Sequence, residues 1–245
     1  MRHDLAVTPD RPREAGDAVT AVAEDYLKTI WSAQEWDDAP ITTTALAGRL
    51  GLAASTVSEQ VKRLVDAGLV VPAPYRPVEL TDAGRSRALR VVRRHRLLET
   101  YLVEHLGYGW DQVHEEAEVL EHVVSELFLE RIDDLLGRPR RDPHGDPIPT
   151  ADGVYERPAA VLLADVPDGA RARVVRISDT DPEVLRWLAE RGVVLDAELV
   201  VVDGSDGVLV EHPGGERLRL PGPAAAALRV VHAAPEASRP SGATA

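Results

Sequence analysis

The chain of 245 residues contains no cysteine, so disulfides and thiolate metal ligands are excluded. It lacks any apolar run long enough to span a bilayer. No apolar stretch of the secretory-signal kind opens it, and these absences together lead us to expect a cytoplasmic protein without a membrane partner. No separate nucleophile or oxyanion feature stands out, so an enzyme is not expected. Positive charge is scarce overall: 28 Lys and Arg face 41 Asp and Glu, a formal net charge of -13. Taken as a total, that balance argues against a nucleic-acid partner.

The distribution reverses the total. Between Thr42 and Arg96 stand ten basic residues against four acidic ones, an excess that can approach phosphates. Between Leu97 and Leu136 stand eleven acidic residues against one arginine, with His105, His114 and His122 interspersed. That second segment calls for a cation. On a helix, the metal-capable side chains of the stretch from His114 through Glu118 and Glu121 to His122 recur at spacings of three and four and share one face. His95 and Glu99 repeat the pairing upstream. The bland readings are that single glutamates such as Glu115 and Glu116 form a solvated face, and that His95 belongs to a basic stripe with Arg93, Arg94 and Arg96.

The length and a 44% hydrophobic content allow two or three small domains, each with its own core. Residues 1–17 are polar and aperiodic and read as a disordered tail, as do 234–245. Residues 18–84 read as a winged helix-turn-helix. An amphipathic helix runs from Ala18 to about Glu35, and a threonine-capped helix covers Thr42 to Leu50. A turn at Gly51 and a second helix from Ala53 to Leu64 follow. Strands at Leu69-Val70 and Val78-Glu79-Leu80 flank a proline-rich loop, the candidate wing. Residues 85–140 read as two long amphipathic helices, the second from about Asp111 to Leu136 with Val113, Ala117, Leu120, Val124, Leu127 and Leu135 as its stripe, and they suggest a dimer interface. Residues 141–158, rich in proline, read as a linker. Residues 159–233 alternate short strands, at 171–177, 198–202, 208–210 and 217–220, with one helix from Asp181 to Arg191, and suggest a small barrel.

At the head of the second helix, Ala53, Ala54, Ser55 and Thr56 are small enough to allow close approach to a major groove. With Thr43 and Ser58 they are the candidate DNA-facing residues. Arg49, Lys62, Arg63 and Arg76 suit phosphate contacts, which position without specifying. Glu59 could accept from a cytosine amine but would repel phosphate.

These residues resemble the diphtheria-toxin-repressor family of metal-dependent bacterial regulators, in its manganese-responsive branch, over about residues 20–232. The matching motifs are Glu24-Asp25-Tyr26-Leu27-Lys28-Thr29-Ile30, the turn before Thr56-Val57-Ser58, Arg94-His95-Arg96-Leu97 with Glu99, Val113-His114-Glu115-Glu116-Ala117 with Glu121-His122, and Asp146-Pro147-Ile148-Pro149. The resemblance implies a mainly α fold with β: an N-terminal winged helix-turn-helix, a helical metal-binding and dimerisation domain, and a C-terminal SH3-like, FeoA-type β-barrel. It implies a primary metal site at Asp25, Glu118, Glu121 and His122. A second site is implied at His95, Glu99 and His114, with Glu183 and Asp179 as candidate ligands from the SH3-like domain. Iron-responsive members place methionine and cysteine where this chain has Asp25 and Glu118, and replacing sulfur by carboxylate tilts the site towards Mn2+. Fe2+, Co2+ or Zn2+ could still substitute in vitro. Members with a close two-metal cluster carry a glutamate one turn after the first aspartate. Lys28 stands there in this chain, which favours two separated sites.

The implied function is a homodimeric, Mn2+-activated repressor that binds a palindromic operator on double-stranded DNA near manganese-uptake genes. An Fe2+- or Zn2+-responsive regulator of the same fold is the near alternative. A carboxylate-bridged metalloenzyme is the remote one, because matched Glu-x-x-His pairs on two helices are missing.

Overall fold

The 3.6-residue spacing of apolar side chains produces helix α1, Ala21–Asp37, with Ala23, Tyr26, Leu27, Ile30 and Trp31 buried. The computed structural model describes residues 20–37, 40–72, 76–203 and 207–232, so both expected tails and residues 73–75 of the candidate wing lie outside the described residues. Two units are present, divided between Ala88 and Leu89.

In the first unit, α2 (Thr43–Leu50) starts where the Thr42 hydroxyl accepts the Ala45 N–H at 3.1 Å, and it ends at Gly51, whose φ of 64° suits a residue without a side chain. Helix α3 (Ala54–Asp66) follows directly, and α2 packs on both α1 and α3 around buried Leu46, Val57 and Leu64. The expected wing strands shrink to two single bridges, Ile41 with Val78 and Val70 with Leu80. Thr81 then ties the wing to the next helix. Its hydroxyl donates to the Gly68 carbonyl at 2.7 Å and accepts the Gly84 N–H at 3.1 Å. Helix α4 spans Asp82–Leu106 and continues into the second unit.

There the expected helix from Asp111 to Leu136 is two helices, α5 (Val113–Leu120) and α6 (Glu126–Leu135). The break is set by Ser125, in extended backbone, whose hydroxyl accepts the Phe128 N–H at 3.2 Å and so begins a new helix. Glu121 and His122 consequently stand in the turn after α5. Leu97, Leu98, Ala117, Leu129, Ile132 and Ile148 form the helical core. Of the expected stripe, Val113 and Ala117 are buried, whereas Leu127 and Leu135 are exposed together with Val119 and Val123. That apolar outer face suits dimerisation.

The segment expected as a linker begins as a packed loop: Asp142, His144, Asp146 and Ile148 are all buried. The Asp142 carboxylate accepts the backbone N–H groups of His144 and Asp146, each at 2.9 Å, and Gly145 turns the chain at φ 88°. A Cβ on Gly145 would overlap the Val175 carbonyl oxygen, so only glycine lets the loop lie against the next strand system. That system is β1 (Val161–Leu162), β2 (Arg171–Ile177), α7 (Pro182–Ala189), β3 (Glu198–Asp203), β4 (Val208–Glu211), β5 (Arg217–Leu220), the short α8 (Gly222–Ala226) and β6 (Leu228–His232). The strands form one antiparallel sheet in the order β1-β6-β2-β3-β4-β5. Its core includes Val174, Ile177, Leu185, Leu188, Leu199, Val210, Leu228 and Val230. A register shift between Val174 and Arg176 turns Arg176 inward, where it is 3% exposed. No described helix is long and apolar enough to cross a membrane.

Two glycines in helices separate packing from propensity. A Cβ on Gly84 would overlap the Leu69 carbonyl oxygen, whereas Gly48 has open space around it. Gly84→Ala is expected to destabilise the chain by about 1–3 kcal/mol, and Gly48→Ala to stabilise it by up to about 1 kcal/mol. Opposite shifts in thermal midpoint by circular dichroism would bear this out; a neutral Gly84→Ala would contradict the close approach.

Candidate metal centre

Helix α4 presents His95 and Glu99 one turn apart on its buried face, with exposures of 6% and 1%. Helix α5 brings His114, and the loop between β2 and α7 brings Asp179. His95 Nε2 lies 3.0 Å from Glu99 Oε1 and 3.1 Å from His114 Nδ1. His114 Nδ1 lies 3.4 Å from Glu99 Oε1 and 3.0 Å from Asp179 Oδ2. Ligands roughly 2.1 Å from one ion sit about 3.0–3.4 Å from each other, so this spacing fits a single cation. All four residues offer donor atoms within 4.8 Å of one another.

The structure places Asp179 in this group and leaves Glu183 out of it. Glu183 is exposed in the first turn of α7, where its N–H is held by the Asp181 carboxylate at 2.9 Å. It belongs to none of the donor groups found among the described residues.

Two further donors went unpredicted. Asp142 and His144, from the packed loop, form a fully buried group with Glu99, again with donor atoms within 4.8 Å. His144 Nε2 lies 2.7 Å from the Trp110 carbonyl oxygen, to which it donates, and the His144 ring stacks on Trp110. That hydrogen bond fixes the tautomer. The other nitrogen, Nδ1, is buried without a hydrogen-bond partner and faces Glu99 Oε2 at 3.9 Å. An imidazole locked by a backbone carbonyl on one side and unpartnered on the other is the usual posture of a metal ligand. The donors present therefore fit a divalent cation, with Glu99 offering one oxygen to each side. The signal that could have revealed them is the local Asp142-Pro143-His144-Gly145-Asp146 turn, which read as proline-rich linker.

The second donor group lies at the end of α5. Glu121 is fully buried, and its Oε2 lies 2.7 Å from His95 Nδ1 while its Oε1 lies 3.5 Å from His122 Nε2. Glu118 Oε1 lies 3.5 Å from His114 Nε2. Asp25 is half-buried on α1 in the first unit, and its membership of this set rests on the sequence motif.

Electrostatics follow from crowding. Burial opposes a charge on His114, but the hydrogen bonds it donates to Asp179 and Glu99, with their negative charges, push its pKa up to about 11. Burial likewise opposes the Asp179 carboxylate, which the bond to His114 nevertheless holds down at about 2. Burial and repulsion from Asp146 and Glu99 drive the Asp142 carboxyl above its usual range. The group carries more negative charge than its arginines balance, and a proton on His114 or a cation relieves it.

Of the basic stripe on α4, Arg93, Arg94 and Arg96 are used inside the second unit. Arg93 donates to Asp133 and the Pro149 carbonyl, each at 2.7 Å, Arg94 to the Glu121 carbonyl at 3.1 Å, and Arg96 to Asp146 at 3.1 Å and the Pro147 carbonyl at 2.6 Å. On the first unit, Arg49, Ala53, Ser55, Thr56, Ser58, Glu59, Lys62, Arg63 and Arg76 are all exposed, and Thr43 is half-buried. Glu59 is paired with Arg63 at 2.6 Å, and Ser58 donates to the Ala54 carbonyl at 2.8 Å.

A cation bound at His114 must displace its proton. Because the folded pKa of His114 is about 11, the imidazole is protonated throughout the neutral range. Affinity should then rise with pH between about 6 and 8, roughly tenfold per unit for each proton displaced. Calorimetry in two buffers of different ionisation enthalpy measures the released proton, and pH-independent binding without release would refute the displacement.

Models of an iron-dependent repressor N-terminal DNA-binding domain, an iron-dependent repressor metal-binding and dimerisation domain, and a FeoA domain match residues 18–78, 81–150 and 161–232. The chain is 36% identical over 220 residues to the iron-dependent repressor IdeR of Mycobacterium tuberculosis, covering 84% of this chain and 95% of that one. A solved manganese-dependent transcriptional repressor in complex with manganese is 50% identical, with a TM-score of 0.81 over 86% of this chain and 100% of that one. The manganese regulator SloR is 32% identical, with a TM-score of 0.74 over 86% and 98%. With a DNA-binding domain, a metal-binding and dimerisation domain and a FeoA domain in succession, the chain belongs to the iron-dependent-repressor, or diphtheria-toxin-repressor, family of metal-dependent transcriptional repressors.

Proposed function

We propose that Mn2+ is the activating ion, that the repressor acts in the cytoplasm, and that its operators lie at metal-homeostasis genes, manganese uptake among them. The observation that carries the metal assignment is the donor chemistry. Every candidate ligand is a carboxylate oxygen or an imidazole nitrogen, in a chain without cysteine. Such a set suits a harder ion, whereas sulfur donors suit softer ones. The similarity to manganese-dependent repressors supports the same choice. A second reading, Fe2+, is favoured by the similarity to an iron-dependent repressor.

Two centres serve this role. Asp25, Glu118, Glu121 and His122 form the primary set. Glu99, His114, Asp179 and His95, with Asp142 and His144 on the far side of Glu99, form the second. The cation supplies the positive charge that lets these carboxylates converge; the chain's own residues hold it and fix the dimerisation domain around it. Small Ala53, Ser55 and Thr56 at the head of α3 approach base edges, with Thr43 and Ser58 beside them. Arg49, Lys62 and Arg76 take phosphates. The Glu59–Arg63 pair holds the Arg63 guanidinium along α3, and Glu59 thereby loses its repulsion for phosphate.

Fluorescence anisotropy with DNA fragments upstream of metal transporters should show binding switched on by micromolar Mn2+, with anaerobic Fe2+ and Zn2+ no better. A stronger response to Fe2+ would establish the second reading instead. His122→Ala and Asp25→Ala should each abolish metal-dependent binding while the dimer persists in analytical ultracentrifugation. Lys62→Ala should weaken binding alike on all sequences and lower the slope of log affinity against log salt by about one; an unchanged slope would remove Lys62 from the phosphate contacts.

A further inference from the structure

One imidazole faces both donor sets. His95 Nε2 points into the group with Glu99, His114 and Asp179, and His95 also belongs to a group with Glu118 and Glu121. A neutral imidazole has one lone pair, so it ligates at one nitrogen and donates a hydrogen bond from the other. His95 therefore cannot be a ligand at both centres. Geometry decides between them. On the Nε2 side, Glu99 Oε1 at 3.0 Å and His114 Nδ1 at 3.1 Å sit at ligand-to-ligand spacing. On the Nδ1 side, Glu121 Oε2 at 2.7 Å sits at hydrogen-bond length, shorter than the roughly 3 Å that separates two ligands of one ion.

Resting on the two-centre reading above, we infer that His95 is a positioning residue for the primary centre. It ligates at the second centre through Nε2, and the proton this leaves on Nδ1 is donated to Glu121 Oε2. Glu121 is fully buried, and rotation about its terminal bond would otherwise exchange its two oxygens. Held at Oε2 by His95, it turns Oε1 towards His122 Nε2, 3.5 Å away. The second centre thus improves the first through one side chain: occupancy fixes the tautomer, and the tautomer fixes the primary ligand. Coupling of this kind is reciprocal.

The test measures Mn2+ uptake by the full chain through the electron paramagnetic resonance of the free ion, comparing wild type with Asp179→Ala, His95→Ala and His95→Asn. Asp179→Ala vacates the second centre without touching His95. Against it, His95→Ala should bind the primary ion about 10–100-fold more weakly, the usual loss when an outer hydrogen bond to a ligand is removed. His95→Asn, whose amide N–H replaces that of Nδ1, should recover most of the loss at the primary centre and none of it at the second. Thermal midpoints confirm that each variant is folded. Wild-type primary affinity in both His95→Ala and Asp179→Ala, or no recovery in a folded His95→Asn, would overturn the inference. A wild-type uptake left intact by His122→Ala would overturn the primary-centre assignment itself, a distinct outcome.

Discussion

The second unit is organised around one carboxylate. Asp146 accepts from Arg96 of α4 at 3.1 Å through one oxygen and from Arg176 of β2 at 2.6 Å through the other, all three groups being buried. Two guanidiniums on one carboxylate fasten helix, loop and sheet together. Such a triad is a weak source of net stability but a strict one of geometry, since any member left alone would be a buried charge costing about 3–5 kcal/mol. The loop that carries Asp146 also carries Asp142 and His144. Fixing its middle against α4 and β2 is what sets these two beside Glu99, and what brings the β2–α7 loop, with Asp179, to the same place.

That construction explains why the centre is poised rather than settled. Arg176 is committed to Asp146 and Arg96 is shared between Asp146 and Asp142, whose Oδ2 lies 3.5 Å from its Nε, while the carboxylates of Glu99, Asp142 and Asp179 crowd around three imidazoles. Glu99 is held well below its usual range despite its burial, by His95, His114 and His144, while Asp142 is held above. Neighbouring carboxyls are thus driven in opposite directions within one cluster. Positive charge in the form of a proton or a divalent ion resolves the conflict, and the two compete for the same lone pairs.

Much of this was legible in the sequence wherever a local rule decided the structure. Thr42 and Gly51 bound α2, Asp181 caps α7 through both Glu183 and Val184, and β2 and β5 have the limits that their alternation suggests. The i,i+4 pair His95 and Glu99 was readable because helical periodicity alone places both on one face. The helix break at Ser125 was hidden by apolar spacing that continues across it from Leu120 to Leu127. The misread linker shows the deeper reason: proline and glycine signal irregular backbone, and irregular backbone is commonly loose. Here the Asp142 side chain replaces the missing ladder of hydrogen bonds, and nothing periodic announces that His144 meets Glu99 across 45 residues. Glu183 and Asp179 lie four residues apart, and only the helix cap at Asp181 decides which of them turns inward.

The placement of His95 draws these strands together. An arginine at that position would have continued the basic stripe of α4, and the local charge count alone cannot separate it from Arg94 and Arg96. What separates it is that all three point inward and each meets a different need. Arg94 satisfies the Glu121 backbone carbonyl, His95 the Glu121 side chain, and Arg96 the loop. Backbone and side chain of one buried glutamate are therefore gripped by two successive residues of α4. At the very end of α5, where the helix stops, Glu121 gains from α4 the rigidity that its proposed role as a metal ligand requires. The break between α5 and α6 leaves Glu121 as the C-cap of α5, its N–H still on the Ala117 carbonyl at 2.9 Å, and α4 grips its side chain.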